Sequence, residues 1–156
     1  IAQILIMHPH VFVAQTTAAH PNHLYKAVMA ANEFPGPAVV NTYTTCQPEH
    51  GVADDRAMAQ AKLAVESRAF PLFIYDPRKG ERIKERLSLQ GNPAMKDDWY
   101  VVPKTGEVID FTSFARTEGR FAKHFAKDGT PSPTLLAAQQ DRLENWRQLQ
   151  ELAGLR

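Results

Sequence analysis

The feature that most constrains the fold is an alternation of short apolar runs with segments of helical spacing in the first half of the chain. Residues 11–15, 38–43 and 72–75 are rich in β-branched and aromatic side chains, a pattern typical of buried strands. Between them, residues 21–32 and 54–65 carry apolar positions at the spacing of helices. The order strand, helix, strand, helix, strand predicts an α/β fold with a parallel sheet and right-handed crossovers.

The two predicted helices have recognisable faces and starts. Leu24, Val28 and Ala31 fall on one face of the first helix, at the spacing of an apolar helical face. The second helix begins with Asp54 and Asp55, and negative charge is favourable at a helix N-terminus. The apolar segment that opens the chain lacks the charged start of a signal peptide. We interpret it as the end of a helix in a longer polypeptide.

The pattern changes after residue 80. There we expect an irregular connection that contains a short strand at 99–102. Residues 111–126 then predict one helix with three phenylalanines on its apolar side, and residues 134–152 predict an amphipathic helix. The sequence thus divides into two regions, 1–80 and 81–156, and we expect the helices of the second region to pack on the same domain.

The composition excludes several classes of protein. With 44% apolar and 22% charged residues and a net charge of +1, the chain has neither the basic surface of a nucleic-acid-binding protein nor that of a membrane-binding one. No apolar run approaches the roughly 20 residues that span a bilayer. A single cysteine excludes an internal disulfide framework and makes the cytoplasm the expected compartment.

The strongest candidate for chemistry is that cysteine, Cys46, four residues before His50. A lone cysteine is often a buried, inert thiol. A nucleophile with His50 as its base is a second interpretation, although cysteine hydrolases usually draw the base from a distant segment. A third is ligation of an iron-sulfur cluster, which normally needs four thiolates. Cys46 could then serve only with three thiolates from outside these 156 residues.

Histidines offer a weaker metal hypothesis. His8 with His10, and His20 with His23, form close pairs among the six histidines. Neither pair has the H-E-x-x-H spacing that sets two zinc ligands on one helical face, so surface or capping roles are favoured. The chain also lacks the glycine-rich and Gly-Asp-Gly motifs that bind phosphate groups. Two loops, 16–20 and 44–51, follow predicted strands, where ligands bind in parallel sheets.

The order of motifs in residues 11–51 resembles one enzyme family. The strand V-F-V-A-Q is followed by a helix ending A-A-N-E-F, then P-G-P-A-V-V, Y-T-T-C and H-G. This order is similar to the last part of the thiamine-diphosphate domain of pyruvate:ferredoxin (flavodoxin) oxidoreductases, within the 2-oxoacid:acceptor oxidoreductases. The resemblance extends through residues 60–65, the motif Tyr75-Asp76-Pro77, residues 118–122 and the closing helix, and so covers essentially the whole chain.

The resemblance implies a fold and a set of site residues. Residues 1–80 would be the C-terminal part of a thiamine-diphosphate-binding α/β domain, half of that fold, with 81–156 as a C-terminal helical extension. Cys46 would be the isolated fourth thiolate of a 4Fe-4S cluster. Thr16 and Thr17 would lie near the thiamine diphosphate. The family usually has two residues between the cysteine and the histidine-glycine pair, and this chain has three.

The resemblance also implies a function. The whole enzyme would oxidatively decarboxylate a 2-oxoacid, pyruvate first, to acyl-CoA and pass electrons through iron-sulfur clusters to ferredoxin or flavodoxin. Residues outside this chain would complete the sites for thiamine diphosphate, Mg and the cluster. The expected partners are the remainder of the polypeptide, coenzyme A and a second copy of the whole enzyme, while this segment alone would be inactive. The alternatives are a non-catalytic interaction module with a buried structural cysteine, or a small cysteine-histidine hydrolase.

Overall fold

A computed structural model describes all 156 residues, from Ile1 to Arg156. The main sheet has four strands in the spatial order β2-β1-β3-β4, and a separate sheet pairs β5 with β6. In chain order the strands are β1 (Phe12–Thr17), β2 (Ala38–Tyr43), β3 (Phe73–Tyr75), β4 (Leu87–Ser88), β5 (Tyr100–Val101) and β6 (Val108–Ile109). The α-helices are α1 (Ala2–Leu5), α2 (Pro21–Asn32), α3 (Gln47–His50), α4 (Ala57–Glu66), α5 (Ile83–Arg86), α6 (Phe111–Ala115) and α7 (Pro133–Leu152). Short 3₁₀ turns occupy Asp54–Arg56, Pro77–Lys79 and Gly119–His124.

The pair of parallel strands predicted from the sequence is present. β1 and β2 pair in register over six positions, from Phe12 opposite Ala38 to Thr17 opposite Tyr43, and α2 connects them. The prediction of an α/β fold is therefore confirmed. Because the two strands run in the same direction, their carboxyl ends lie side by side at one edge of the sheet.

The third strand runs the other way, so the prediction of an all-parallel sheet is wrong. β3 is antiparallel to β1, with Phe73 opposite Gln15 and Tyr75 opposite Val13, and β4 is antiparallel to β3. The chain leaves α4 through a tight turn in which the Phe70 amide donates to the Ala64 carbonyl, 2.8 Å away. It therefore enters β3 at the edge where β1 ends, and β3 runs antiparallel to β1. The sheet is consequently mixed.

Helices cover both faces of the sheet. On one face, Ala27 of α2 packs with Phe12 and Ala14 of β1. On the other face a larger cluster joins α1 and α7 to the sheet, with members Ala2, Ile6, Val13, Phe73, Tyr75, Leu87, Leu89, Trp146 and Leu149. The central strand is thus buried on both sides, which explains its nearly continuous apolar sequence. β4 contributes to this core from a region where the sequence predicted only irregular connection.

Helix α2 begins as predicted but presents a different face to the sheet. Pro21 occupies its first turn, where a missing N–H has no cost. Ala27 is fully buried, whereas Val28 is 47% exposed and Tyr25 69% exposed. The small alanine lets the helix approach the strands closely, and the larger apolar residues, Met29 included, lie on the outside. Val28, on the apolar face seen in the sequence, therefore lies largely outside the contact with the sheet.

The helix predicted over 111–126 is broken in two. α6 ends after Ala115, and residues 119–124 form a 3₁₀ turn after an extended Glu118. The hydroxyl of Thr117 donates to the Phe114 carbonyl, which helps to end the helix. Helix α7 matches its prediction and is capped by Ser132, whose hydroxyl accepts from the Leu135 amide at 3.3 Å. No helix in the chain combines the length and the apolar character needed to cross a bilayer.

Candidate functional site at the carboxyl edge of the parallel strands

The two loops singled out from the sequence leave the sheet at the same edge. Thr16 lies opposite Thr42, and Thr17 lies opposite Tyr43, so the segments after β1 and β2 start as neighbours. Edges where parallel strands end are common ligand sites, because the following loops converge there. Cys46 follows three residues after the end of β2.

Thr16 and Thr17 are the last residues of β1 rather than loop residues, so the loop prediction is wrong at these two positions. Both are fully buried. The Thr16 hydroxyl forms a 2.9 Å hydrogen bond with Nδ1 of His23, and the Thr17 hydroxyl accepts from the Ala19 amide at 3.4 Å. Burial, with His20 and Lys26 adding smaller effects, lowers the pKa of His23 to about 4. His23 is therefore neutral near pH 7.

Cys46 is an exposed free thiol, so the interpretation as a buried structural cysteine is wrong. It stands just before α3, and its carbonyl accepts a 2.8 Å hydrogen bond from the His50 amide. Gly51 ends the turn in the left-handed conformation, with φ of 62°, which glycine adopts without strain. The backbone of this loop is hydrogen-bonded, while the thiol itself is open to the surroundings.

The side chains of Cys46 and His50 do not form a nucleophile-base pair. No hydrogen bond joins the thiol to the imidazole. Instead Nδ1 of His50 is buried without a hydrogen-bond partner and lies 3.7 Å from Oε1 of Glu118. A general base must reach the proton that it removes, and here the ring is directed towards a carboxylate. The arrangement disfavours a cysteine hydrolase.

Glu118 is a buried carboxylate that sequence reasoning did not single out. Its side chain is 0% exposed. Oε1 accepts from the Tyr43 hydroxyl at 2.9 Å and from Nε2 of Gln60 at 3.1 Å, and Oε2 accepts from Nε of Arg120. Burial and the hydrogen bond to this carboxylate raise the pKa of Tyr43 well above its ordinary value. A buried charge is tolerated when it is paired and hydrogen-bonded in this way.

A contact between two glycines joins the cysteine loop to the segment of Glu118. The Gly119 amide donates to the Gly51 carbonyl at 3.2 Å. A Cβ atom built on Gly51 would lie 2.8 Å from Cα of Gly119, closer than any side chain permits. Both glycines are visible in the sequence, but the residues around each of them do not indicate that the two contact each other.

The chain by itself offers no complete metal site. No group of three or more His, Cys, Asp or Glu residues is arranged to hold an ion. His23 is bonded to Thr16, and His20 stands just before α2 with its Nδ1 buried and unpaired, so the two do not form a ligand pair. An exposed thiol on a hydrogen-bonded loop does fit a single ligand position, and the remaining ligands would have to come from elsewhere.

Comparison with known proteins gives homologues over almost the whole chain. The chain is 30% identical over 159 aligned residues to the pyruvate-flavodoxin oxidoreductase of Rhodospirillum rubrum, covering 99% of this chain and 12% of the relative. It is 28% identical over 153 residues to the ketoisovalerate oxidoreductase subunit VorB of Pyrococcus horikoshii, covering 98% and 42%. The pyruvate synthase subunit PorB of Thermotoga maritima is 28% identical over 100 residues, covering 58% and 31%. No family model matches the chain.

The fold and these homologues define the class: the chain is an α/β segment that is homologous to oxidoreductases. Within that class it is a homologue of the 2-oxoacid oxidoreductases, which confirms the resemblance found in the sequence. The chain spans about an eighth of the length of the first relative and less than half of the second.

Proposed function

We propose that this chain is part of a 2-oxoacid oxidoreductase in which Cys46 supplies one thiolate to a 4Fe-4S cluster. The observation that carries the proposal is the exposed Cys46 thiol, held on a hydrogen-bonded loop where two parallel strands end. The homology to enzymes named for pyruvate and ketoisovalerate supports it. In such an enzyme the cluster, when bound, accepts and passes on single electrons.

The role of the protein around Cys46 is to orient the ligand and to control its surroundings. The loop backbone sets the position of the thiol, since the Cys46 carbonyl is bonded to the His50 amide. Hydrogen bonds and solvent exposure near a cluster thiolate adjust the reduction potential. This chain has three residues between Cys46 and His50, one more than the resemblance leads us to expect, and the single turn of α3 accommodates them. The extra residue therefore lies in a helical turn and does not remove the thiol from the loop.

The outer surface of the parallel pair supports a further partner in the same enzyme. β2 is an edge strand, so one side of its backbone is unpaired. An unprotected edge strand readily pairs with another strand. The adjacent helix α2 exposes Tyr25, Val28 and Met29, an apolar surface suited to packing. We propose that the remainder of the oxidoreductase polypeptide, or another of its subunits, covers this side.

We further propose that this carboxyl edge adjoins thiamine diphosphate, with Thr16 and Thr17 as the nearest residues of β1. Their hydroxyls are bonded to His23 and Ala19, which fixes the shape of the edge. Mg and the pyrophosphate would be bound by residues outside this chain. In this proposal residues 1–80 are the C-terminal part of the cofactor domain, and the segment after residue 80 packs on it.

The proposed reaction is oxidative decarboxylation of a 2-oxoacid to acyl-CoA, with pyruvate as the first candidate and ferredoxin or flavodoxin as the electron acceptor. Coenzyme A, the electron carrier and a second copy of the whole enzyme are the proposed partners, and the cytoplasm is the proposed compartment. Turnover of pyruvate and of ketoisovalerate by the intact protein, measured as kcat/KM with each carrier, tests the substrate. Equal inactivity towards both would contradict the proposal.

Replacement of Cys46 by alanine in the intact protein tests the ligand role. We expect the iron content to fall by one cluster and the matching EPR signal of the reduced protein to disappear. Thr44→Ala is the matched control, because Thr44 is an exposed residue of the same loop. Unchanged iron in the Cys46→Ala protein, or equal loss in both variants, would refute ligation by this thiol.

A further inference from the structure

The loop that carries Cys46 is fixed at both ends by one short segment of the chain. At its start, Tyr43 donates its hydroxyl to Glu118 at 2.9 Å. At its end, the Gly51 carbonyl accepts from the Gly119 amide at 3.2 Å. Cys46 lies between these two anchor points, three residues after the first and five before the second.

The anchoring side chain is itself held firmly. Besides Tyr43, the Glu118 carboxylate accepts from Gln60 on α4 and from Arg120. Gln60 is buried, and its Oε1 lies 2.7 Å from the Thr117 hydroxyl, whose single proton is shared between this oxygen and the Phe114 carbonyl. Networks in which every member is satisfied are rigid, and removal of one member leaves the others unpaired and buried. The carboxylate is therefore a fixed point against which the loop is placed.

The thiol has no packing of its own to define its position. Cys46 is exposed, and inside the loop its carbonyl accepts a hydrogen bond from the His50 amide. Nδ1 of His50, in the same loop, lies 3.7 Å from Oε1 of Glu118. Any movement of Glu118 would thus be transmitted to the thiol through Tyr43 at one side and through α3 at the other.

We propose that Glu118 is the positioning residue of the Cys46 loop. It touches neither the thiol nor a reacting atom, and it acts through Tyr43 and the His50-Gly51 turn. Its effect on a cluster rests on the proposed ligand role of Cys46, whereas its effect on the loop does not. Residues that orient metal ligands typically change metal affinity or activity by about 10–100-fold when they are replaced.

The first experiment measures the loop alone, by amide hydrogen exchange of the intact protein. Glu118→Ala should speed exchange in residues 44–51, including the His50 amide, by about tenfold, which corresponds to a loss of about 1.4 kcal/mol in the free energy of local opening. Glu118→Gln keeps an oxygen that can accept from Tyr43 and Gln60 but loses the acceptor for Arg120, so its exchange should stay closer to wild type than that of Glu118→Ala. Tyr43→Phe, which removes one hydrogen bond but keeps the ring, should give an intermediate rate. Unchanged exchange in Glu118→Ala and Tyr43→Phe would overturn the proposal.

The second experiment measures the cluster in the same proteins. Iron retention against a chelator and the reduction potential should change in Glu118→Ala and recover largely in Glu118→Gln. Gln150→Ala is the control for general destabilisation, because Gln150 is equally buried but bonds to Met95 and Asp97 instead. Equal loss of iron in the Gln150 and Glu118 variants would refute a positioning role. Faster exchange with unchanged iron in both Glu118→Ala and Cys46→Ala would support the positioning and refute the ligand role.

Discussion

The contact between Gly51 and Gly119 allows a stability prediction with a built-in control. Replacement of Gly51 by alanine imposes two costs. The first is the left-handed backbone at φ of 62°, worth about 1–2 kcal/mol for a residue with a Cβ. The second is the approach of the new Cβ to Cα of Gly119 at 2.8 Å. Overpacking of this kind typically lowers stability by about 1–3 kcal/mol.

Gly106 separates the two costs. Its φ is 70°, but nothing lies within 4 Å of the Cβ that alanine would add. Gly106→Ala should therefore lower the free energy of unfolding by about 1–2 kcal/mol, from backbone strain alone. Gly51→Ala should lower it by about 2–5 kcal/mol, the sum of both costs. The difference between the two variants isolates the contact.

Urea denaturation followed by circular dichroism measures this difference. At an m value of about 2 kcal/mol/M, a difference of about 2 kcal/mol moves the midpoint by about 1 M. Gly119→Ala supplies a reciprocal test, since its added Cβ would lie 3.2 Å from Cα of Gly51 without the cost of a positive φ. Equal losses in the Gly51 and Gly106 variants, with a neutral Gly119 variant, would refute the reasoning.

Three further predictions concern groups outside this contact. His23 has a pKa of about 4 in the folded protein against 6.5 ordinarily, so stability should fall as the pH drops from about 6.5 towards 4, by up to ~1.4 kcal/mol per pH unit. His23→Gln should remove most of that slope in urea titrations, and an unchanged slope would contradict it. Asp98 has a pKa of about 2, chiefly because Arg147 donates hydrogen bonds to its carboxylate. The wild-type protein should therefore lose less than ~1 kcal/mol of stability below pH 4, because the pair is partly exposed. Asp98→Asn should abolish this loss, and a larger loss in the wild type would contradict the prediction. Arg68 stacks on Trp146 at 4.2 Å and donates to two backbone carbonyls; Arg68→Ala should lower the free energy of unfolding by about 2–4 kcal/mol, and a melting temperature equal to wild type would refute it.

Local patterns predicted the elements whose structure depends on local signals. β2 and α2 have the predicted bounds, and α7 begins one residue before its predicted start. Pro21 and Ser132 mark the starts of these helices, and the apolar run of β1 reflects burial on both faces. These features are set by neighbours in the sequence or by burial alone, and a single sequence records both.

Features that depend on distant partners were missed. The direction of β3 is set by the turn that follows α4. The sequence of a three-residue strand does not reveal whether the strand pairs parallel or antiparallel with its neighbour. The break after Ala115 follows from the placement of Gly119 against Gly51, 68 positions away in the chain. Hydrophobic periodicity continued through this break because the aromatic residues pack in one cluster on both sides of it.

In the candidate site, too, features with a local signal were predicted and features set by distant partners were missed. Cys46 was found because one cysteine in 156 residues is conspicuous, and its loop was correctly expected at the end of a strand. Its exposure was not predicted, because composition favours burial for a lone thiol. Glu118 was missed as a site residue because its partners Tyr43 and Gln60 are 75 and 58 positions away. It lies inside the helix predicted over residues 111–126, where a glutamate gives no sign that it is buried.

The reversal of direction between β1 and β3 separates the two ends of the sheet. The segments after β1 and β2 leave at one end, whereas Asp76, which follows β3, lies at the other, where its carboxylate pairs with Arg78. Substitutions in the 3₁₀ turn directly after β3, Pro77–Lys79, therefore lie at the end of the sheet opposite to the loop of Cys46. The Asp76–Arg78 pair and the loop of Cys46 can therefore be altered separately, because opposite ends of the sheet carry them.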